Sequence, residues 1–84
     1  MSKVHDLKVH PDVWAPLWSR LKQWEFRKND RDFKAGDRLR LRKINPKTGE
    51  PLPGPFNEMT VRVTYILHGP AFGVPDGYCI MSIK

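Results

Sequence analysis

The stretch that decides the fold is Trp24–Arg42, which reads WEFRKNDRDFKAGDRLRLR. It begins with apolar and charged residues in alternation, passes into a polar run, closes on Gly36–Asp37 and then alternates again. Alternation with a period of two predicts strands, and the Gly-Asp pair predicts a turn. The stretch therefore predicts a strand, a charged loop, a turn and a second strand.

The rest of the chain predicts one helix and further strands around this stretch. Alternation places strands at residues 4–9, 24–27, 38–44, 58–67 and 78–83. His10–Asp12 predicts a helix start, because proline fits the first helical position, and the apolar spacing carries the helix to about Lys22. We expect a single α+β domain over residues 1–84: a small, partly closed mixed barrel of about five strands, with one helix after the first strand.

The same periodicities predict the side chains that face the core. His5 is expected on the inward face of the first strand, either as a hydrogen-bonded core histidine or on the floor of a cleft. The other predicted inward positions are Val13 or Trp14, Leu17, Trp18, Leu21, Trp24, Phe26, Leu39, Leu41, Met59, Val61, Val63, Tyr65 and Leu67. Trp24 has an alternative, because an exposed tryptophan beside Lys22 would offer a surface on which bases stack.

Charge points to an anionic partner. The 84 residues carry a net charge of +6, and the pI is about 9.8. Such a surface favours RNA or a nucleotide, although a basic pI also serves solubility alone. The N-terminus lacks an apolar signal core, and no stretch approaches the roughly 20 apolar residues of a membrane span. We expect a soluble cytoplasmic protein without a membrane partner, and a monomer is favoured.

The cysteine and the histidines give no sign of a metal site. Cys79 is the single cysteine, so no intrachain disulfide forms, and its apolar neighbours predict a buried thiol. His5, His10 and His68 have no ligand spacing. We therefore expect neither a metal nor a cofactor.

The candidate site begins with Lys22, Glu25 and Arg27. Glu25 and Arg27 lie at alternate positions and so share one face of a strand that Lys22 precedes. Three interpretations stay open. Lys22 and Arg27 hold a phosphate, Lys22 acts as base or nucleophile while Glu25 moves protons, or the three form a structural ion network.

The polar loop extends this candidate site through Lys28, Asn29 and Arg31. Asn29 and Arg31 would contact a base edge or a ribose at the mouth of the site, or else belong to a turn with Asp30. Asp37 is expected to accept hydrogen bonds from backbone amides at the turn.

An arginine stripe follows the turn, formed by Arg38, Arg40 and Arg42. Together with Lys43 and Arg62, it predicts either a track for phosphates along the outer sheet face or a solvated face without a ligand.

A series of motifs resembles the ASCH superfamily, whose fold is PUA-like. In chain order they are His5-Asp6-Leu7-Lys8, Glu-x-Arg-Lys-Asn-Asp-Arg-x-Phe-x-x-Gly-Asp over residues 25–37, Thr48-Gly49, Thr64–Leu67 and Gly77-Tyr78. The chain looks most like a short branch of unknown function that is common in phage, plasmid and bacterial genomes.

The resemblance implies RNA binding in a cleft between the helix and the barrel. A related ASCH branch hydrolyses the acetyl group of acetylated cytidine with a Lys, a Thr and a Glu. The Lys of that motif falls on Lys22 and its Arg on Arg27, while Glu25 stands at the position of the Thr.

Three functions follow as hypotheses. The favoured one is an RNA- or nucleotide-binding module. Its cleft is lined by Lys22, Glu25, Arg27, Asn29 and Arg31, and the arginine stripe steers the nucleic-acid backbone. The second is an enzyme, either a hydrolase of modified nucleosides or a ribonuclease, in which Lys22 and Glu25 are catalytic. The third is a phage-type interaction protein whose basic face blocks a nucleic-acid machine of the host.

Overall fold

Five strands form one mixed sheet that curls into a half-barrel, and a single short helix follows the first strand. The computed structural model describes residues 2–84. The elements are β1 (Val4–Val9), α1 (Pro11–Trp18), β2 (Trp24–Lys28), β3 (Arg38–Lys43), a 3-10 turn (Pro55–Asn57), β4 (Glu58–His68) and β5 (Tyr78–Ile83). The strand order is β1-β3-β4-β5-β2. β1 and β3 are parallel, and the other pairs are antiparallel. The α+β class and the strand positions are thus confirmed.

The core lies inside the curl of the sheet. Alternate residues of β1, β3 and β5 are buried, as the period of two predicts. Trp14 and Leu17 of α1 close this core, together with Phe33 from the loop before β3. The indole Nε1 of Trp14 donates to the carbonyl of Phe56, 3.1 Å away, so the buried ring keeps its polar atom satisfied.

The helix is shorter than the sequence predicts. It ends at Trp18 rather than near Lys22, because Arg20 takes a left-handed conformation with φ of 68°. The amide of Arg20 donates to the carbonyl of Leu17, the pattern of a left-handed helix end. Leu21 is consequently 85% exposed, and its predicted place in the core is wrong.

The early end corrects two more expectations about the helix. Lys22 and Arg20 lie beyond it. Trp18 is 43% exposed and stacks on Trp14 instead of filling the core.

β2 presents the opposite faces to those predicted. Trp24 and Phe26 point outward and are 49% and 45% exposed, whereas Glu25 is buried. The charged face turns inward because two cations neutralise the carboxylate of Glu25 there. The prediction that both aromatic residues lie in the core is therefore wrong.

A bulge changes the outward side of β4. The register with β5 shifts between Val63 and Tyr65, and this shift reverses the alternation beyond it. Ile66 packs against the core, and Tyr65 is 64% exposed rather than inward.

The two end strands, β1 and β2, are joined by side chains. Nη2 of Arg27 donates to the carbonyl of Lys8 over 2.9 Å, and Nη1 of Arg31 donates to the carbonyl of Asp6. These arginines satisfy carbonyls on the free edge of β1, where a sheet otherwise exposes unpaired groups. The half-barrel therefore has a polar seam. Within residues 2–84, no helix is long and apolar enough to span a membrane.

Candidate functional site

Glu25 is the centre of the candidate site. Its Oε1 accepts from Nζ of Lys22 over 2.9 Å, and its Oε2 accepts from Nε of Arg27 over 2.8 Å. The residue is only 3% exposed. A buried carboxylate needs such partners, because removing it from water is strongly unfavourable unless the charge is paired and hydrogen-bonded. The structure thus brings together the three residues from which the site was predicted.

Lys22 is fixed by two further contacts with Trp24. Nζ donates to the carbonyl of Trp24 over 2.7 Å and lies 4.4 Å from the centre of its ring. A lysine ammonium over an indole face is attracted by the negative potential of the ring. The left-handed turn at Arg20 brings Lys22 to this position, so the early end of the helix helps to form the site.

A cleft of about 390 Å³ opens over this cluster, between the start of α1 and β2. Its lining residues come from β1, α1 and β2 and are Lys8, Val9, His10, Val13, Lys22, Trp24, Glu25, Phe26 and Arg27. Its volume lies in the range of small-molecule pockets. We call it the nucleoside cleft, after the ligand that we propose for it below.

A second cleft of about 290 Å³ adjoins the first along the polar seam and shares Lys8 and Arg27 with it. Its lining is completed by Asp6, Leu7, Arg31, Arg42 and Pro51. We call it the seam cleft. Its cations outnumber its single carboxylate, Asp6, which already pairs with Arg40 over 3.1 Å. The seam cleft is therefore electropositive.

The arginine stripe faces outward as predicted, but carboxylates of the neighbouring strands interrupt it. The register places Asp6 and Arg40 side by side, and likewise Arg42 and Glu58. Nε of Arg42 lies 3.4 Å from Oε1 of Glu58. Arg42 lines the seam cleft, whereas Arg38 lies opposite Arg62 at the other end of the stripe. Acidic residues of the neighbouring strands thus pair with Arg40 and Arg42, and the stripe is not a continuous cationic track.

The predicted loop residues separate into different places. Oδ1 of Asn29 accepts from the amide of Phe33 over 3.0 Å, so Asn29 forms a turn. Asp32 in this loop takes a left-handed conformation, with φ of 52°. Arg31 reaches the seam cleft. Lys28 lies on the outward face of β2, opposite to Glu25 and Arg27.

Asp37 and His5 form a second buried polar pair, away from the clefts. Asp37 accepts from the amides of Lys3 and Lys34 over 3.0 and 3.1 Å, and Nε2 of His5 lies 2.8 Å from its Oδ2. Burial disfavours the charged carboxylate, but these hydrogen bonds outweigh burial and lower the pKa of Asp37 below its ordinary value. The predictions for both residues are confirmed, and the pair stabilises the fold.

Other reactive side chains lie outside the clefts. Cys79 is fully buried, as predicted, and burial raises the pKa of its thiol. In the described part of the chain, no group of three or more His, Cys, Asp and Glu side chains is placed to hold a metal ion.

Sequence reasoning missed the contribution of β1 and the helix start to the clefts. Lys8 lines both clefts, and His10 and Val13 line the first. Lys8 carried a signal, since it lies on the polar face of β1, but no local pattern indicated that β1 and β2 would meet along a seam. Trp24 also lines the nucleoside cleft and is exposed beside Lys22. Base stacking on this ring stays a prediction.

A family model described as Domain of unknown function (DUF3850) matches residues 4–83. No curated protein matches the chain. The matched range includes all the strands, the helix and both clefts.

Proposed function

The chain belongs to the family described as Domain of unknown function (DUF3850), and we propose that it is an ASCH-type, PUA-like domain that binds single-stranded RNA along the seam between β1 and β2. One nucleoside occupies the nucleoside cleft, and the neighbouring phosphates lie in the seam cleft. The curled mixed sheet, the helix after the first strand and the ordered motifs support this fold assignment.

The chemistry of the nucleoside cleft supports a base as the ligand. Trp24 supplies an aromatic wall, and base–aromatic stacking is sequence-tolerant. Each carboxylate oxygen of Glu25 has two acceptor sites and uses one of them for Lys22 or Arg27. Glu25 therefore retains acceptor capacity for an exocyclic amino group, such as that of cytosine or adenine.

The observation that carries the proposal is that the two clefts share Lys8 and Arg27. A nucleotide has an uncharged base beside a charged phosphate. The cleft with the aromatic wall matches the base, and the adjoining electropositive seam cleft matches the phosphate. Arg27 uses Nε and Nη2 within the protein, which leaves Nη1 for a ligand. Lys8 is exposed between the clefts and supplies a mobile charge. A third cleft, which shares Arg42 and Pro51 with the seam cleft, would extend the path of the strand.

The test is a titration of the full chain with a fluorescently labelled RNA octamer and with cytidine monophosphate at several salt concentrations. We expect the affinity for the octamer to fall steeply with salt, with a slope of about −0.7 per phosphate contacted. Lys8→Ala should weaken binding and reduce that slope by about 0.7, because it removes one phosphate contact without breaking a hydrogen bond.

Lys47→Ala is the matched control, because Lys47 is exposed on another loop and lines neither cleft. It should bind RNA like the wild type. Equal effects of the two substitutions would indicate attraction by net charge alone and would contradict a site on the seam.

Hydrolysis of a modified nucleoside is the second candidate, favoured by the 2.9 Å contact between Nζ of Lys22 and Oε1 of Glu25 inside the cleft. Water would add to the acetyl carbonyl of acetylated cytidine, the C–N bond would break, and acetate and cytidine would leave. Lys22→Arg distinguishes the candidates, because arginine keeps the charge but cannot act as a base. Binding without turnover in this variant, with turnover in the wild type, would favour the enzyme. A wild type that releases no acetate excludes this reaction.

A further inference from the structure

The outward face of the sheet carries a group of aromatic side chains, of which the proposed function uses only Trp24. Four rings project from β2, β4 and β5, at Trp24, Phe26, Tyr65 and Tyr78. They are 49%, 45%, 64% and 36% exposed. We call this set the outer aromatic face. Large apolar groups gathered on one surface are unusual unless they meet a ligand or a partner.

The register of the strands shows how the rings are arranged. Trp24 and Tyr65 are both paired with Ser82, from the two sides of β5. Directly paired residues lie on the same face, and neighbouring strands are about 4.8 Å apart. The backbones of the two aromatic residues thus lie about 10 Å apart across a small serine, a spacing at which a slot between their side chains would admit one planar ring.

The other two rings already stack on each other. The centres of Phe26 and Tyr78 are 5.5 Å apart, with an angle of 20° between their planes. Their mutual contact leaves part of each side chain accessible, so the pair offers a further aromatic surface beside the slot.

The charges around the face favour nucleic acid over a protein partner. The outward positions of β2 and β5 contain Lys28 and no Asp or Glu. Lys22 sits over the ring of Trp24. Trp24 also lines the nucleoside cleft, so a strand that leaves this cleft meets the outer aromatic face without a gap. Aromatic rings bordered by cations are the usual composition of a surface that binds single strands.

We propose that the outer aromatic face is a second nucleobase-binding surface, on which one base stacks between Trp24 and Tyr65 and a neighbouring base stacks on Phe26 and Tyr78. This inference rests on the proposed function, because it extends the RNA path from the nucleoside cleft onto the sheet. It also gives a role to the aromatic residues that β2 turns outward.

The experiment compares the octamer with cytidine monophosphate, since only the octamer is long enough to reach both surfaces. Tyr65→Ala should weaken binding of the octamer roughly 5- to 150-fold, the effect of losing one stacked base. It should leave binding of the mononucleotide unchanged. Tyr65→Phe should restore the affinity for the octamer, because it keeps the ring.

Phe72→Ala is the matched control, because Phe72 is a 91% exposed aromatic residue on the loop before β5 and lies outside the outer aromatic face. It should bind both ligands like the wild type. Thermal unfolding of each variant checks that the fold is retained, as the exposure of both side chains leads us to expect.

The outcomes separate the two proposals. If the wild type binds the octamer and Tyr65→Ala binds it equally well, the second surface is refuted while the cleft stands. If the affinity for the octamer falls in Tyr65→Ala but not in Lys8→Ala, the second surface is supported and the cleft is refuted. If the wild type binds neither ligand, both are refuted. A dimer in sedimentation that Tyr65→Ala abolishes and RNA does not displace would refute the second surface in favour of self-association.

Discussion

Nε2 of His5 lies 2.8 Å from Oδ2 of Asp37, and both side chains are buried. The pair joins the start of β1 to the turn before β3, and the His5 ring also packs edge-to-face with Phe33. Asp37 thereby connects segments that are far apart in the sequence, because the amides of Lys3 and Lys34 donate to the same carboxylate. This connection positions β1, whose free edge forms one side of the polar seam.

We expect Asp37→Ala to lower the free energy of unfolding by about 3 kcal/mol, because it leaves two amides and a histidine without their buried partner. Urea unfolding followed by circular dichroism measures this loss. Asp30→Ala, at an exposed position of the nearby loop, should change stability by less than about 0.5 kcal/mol. A similarly small effect at Asp37 would show that the polar pair does not stabilise the fold.

Stability should fall in acid through Asp37. The pKa of its carboxyl is lowered from the ordinary value of 3.8, so the folded state releases this proton more readily than the unfolded state does. The stabilisation is therefore fully present above the unfolded pKa and is lost as the pH falls through the lower folded value. Unfolding from pH 6 to pH 2.5 should show the stability advantage of the wild type over Asp37→Asn shrinking below about pH 4. An advantage that stays constant with pH would contradict this assignment.

Glu25 should repel anions from the clefts while it stabilises the cations around it. Glu25→Gln removes the negative charge between Lys22 and Arg27, both mostly buried, and should destabilise the protein by roughly 1–3 kcal/mol. The same change should tighten binding of inorganic phosphate, because the freed cations no longer share their charge with a carboxylate. Phosphate titration followed by NMR shifts of the β2 amides measures the second effect.

Glu50→Gln is the control for this experiment, because Glu50 is exposed on the long loop before β4. It should alter neither stability nor phosphate affinity. Weaker phosphate binding in Glu25→Gln would mean that Glu25 holds Lys22 and Arg27 in the geometry that binds the anion.

The sequence predicted the strands well because period-two alternation is a local property. It predicted the convergence of Lys22, Glu25 and Arg27 because they are close along the chain. It failed at Tyr65, since a bulge in β4 reverses the alternation without a glycine to mark it. It also assigned the wrong side of β2 to the core, because the choice depends on two cations that neutralise Glu25 in three dimensions. The seam cleft combines residues of β1, β2 and β3, and no local sequence pattern predicts contacts between segments that are so far apart along the chain.

The sequence also predicted the wrong end for the helix, because no glycine marks the left-handed residue that ends it. This residue provides a last test. A left-handed residue after the C-cap is usually glycine, whereas Arg20 holds this position with φ of 68°. Arg20→Gly should raise the free energy of unfolding by about 0.5–1 kcal/mol, because glycine adopts this conformation without the steric penalty of a β-carbon. Ser19→Gly, one residue earlier at an ordinary φ of −82°, should instead destabilise the protein. Urea unfolding of both variants decides the matter. A loss of stability in Arg20→Gly would show that the arginine side chain contributes more to this turn than its backbone strain costs.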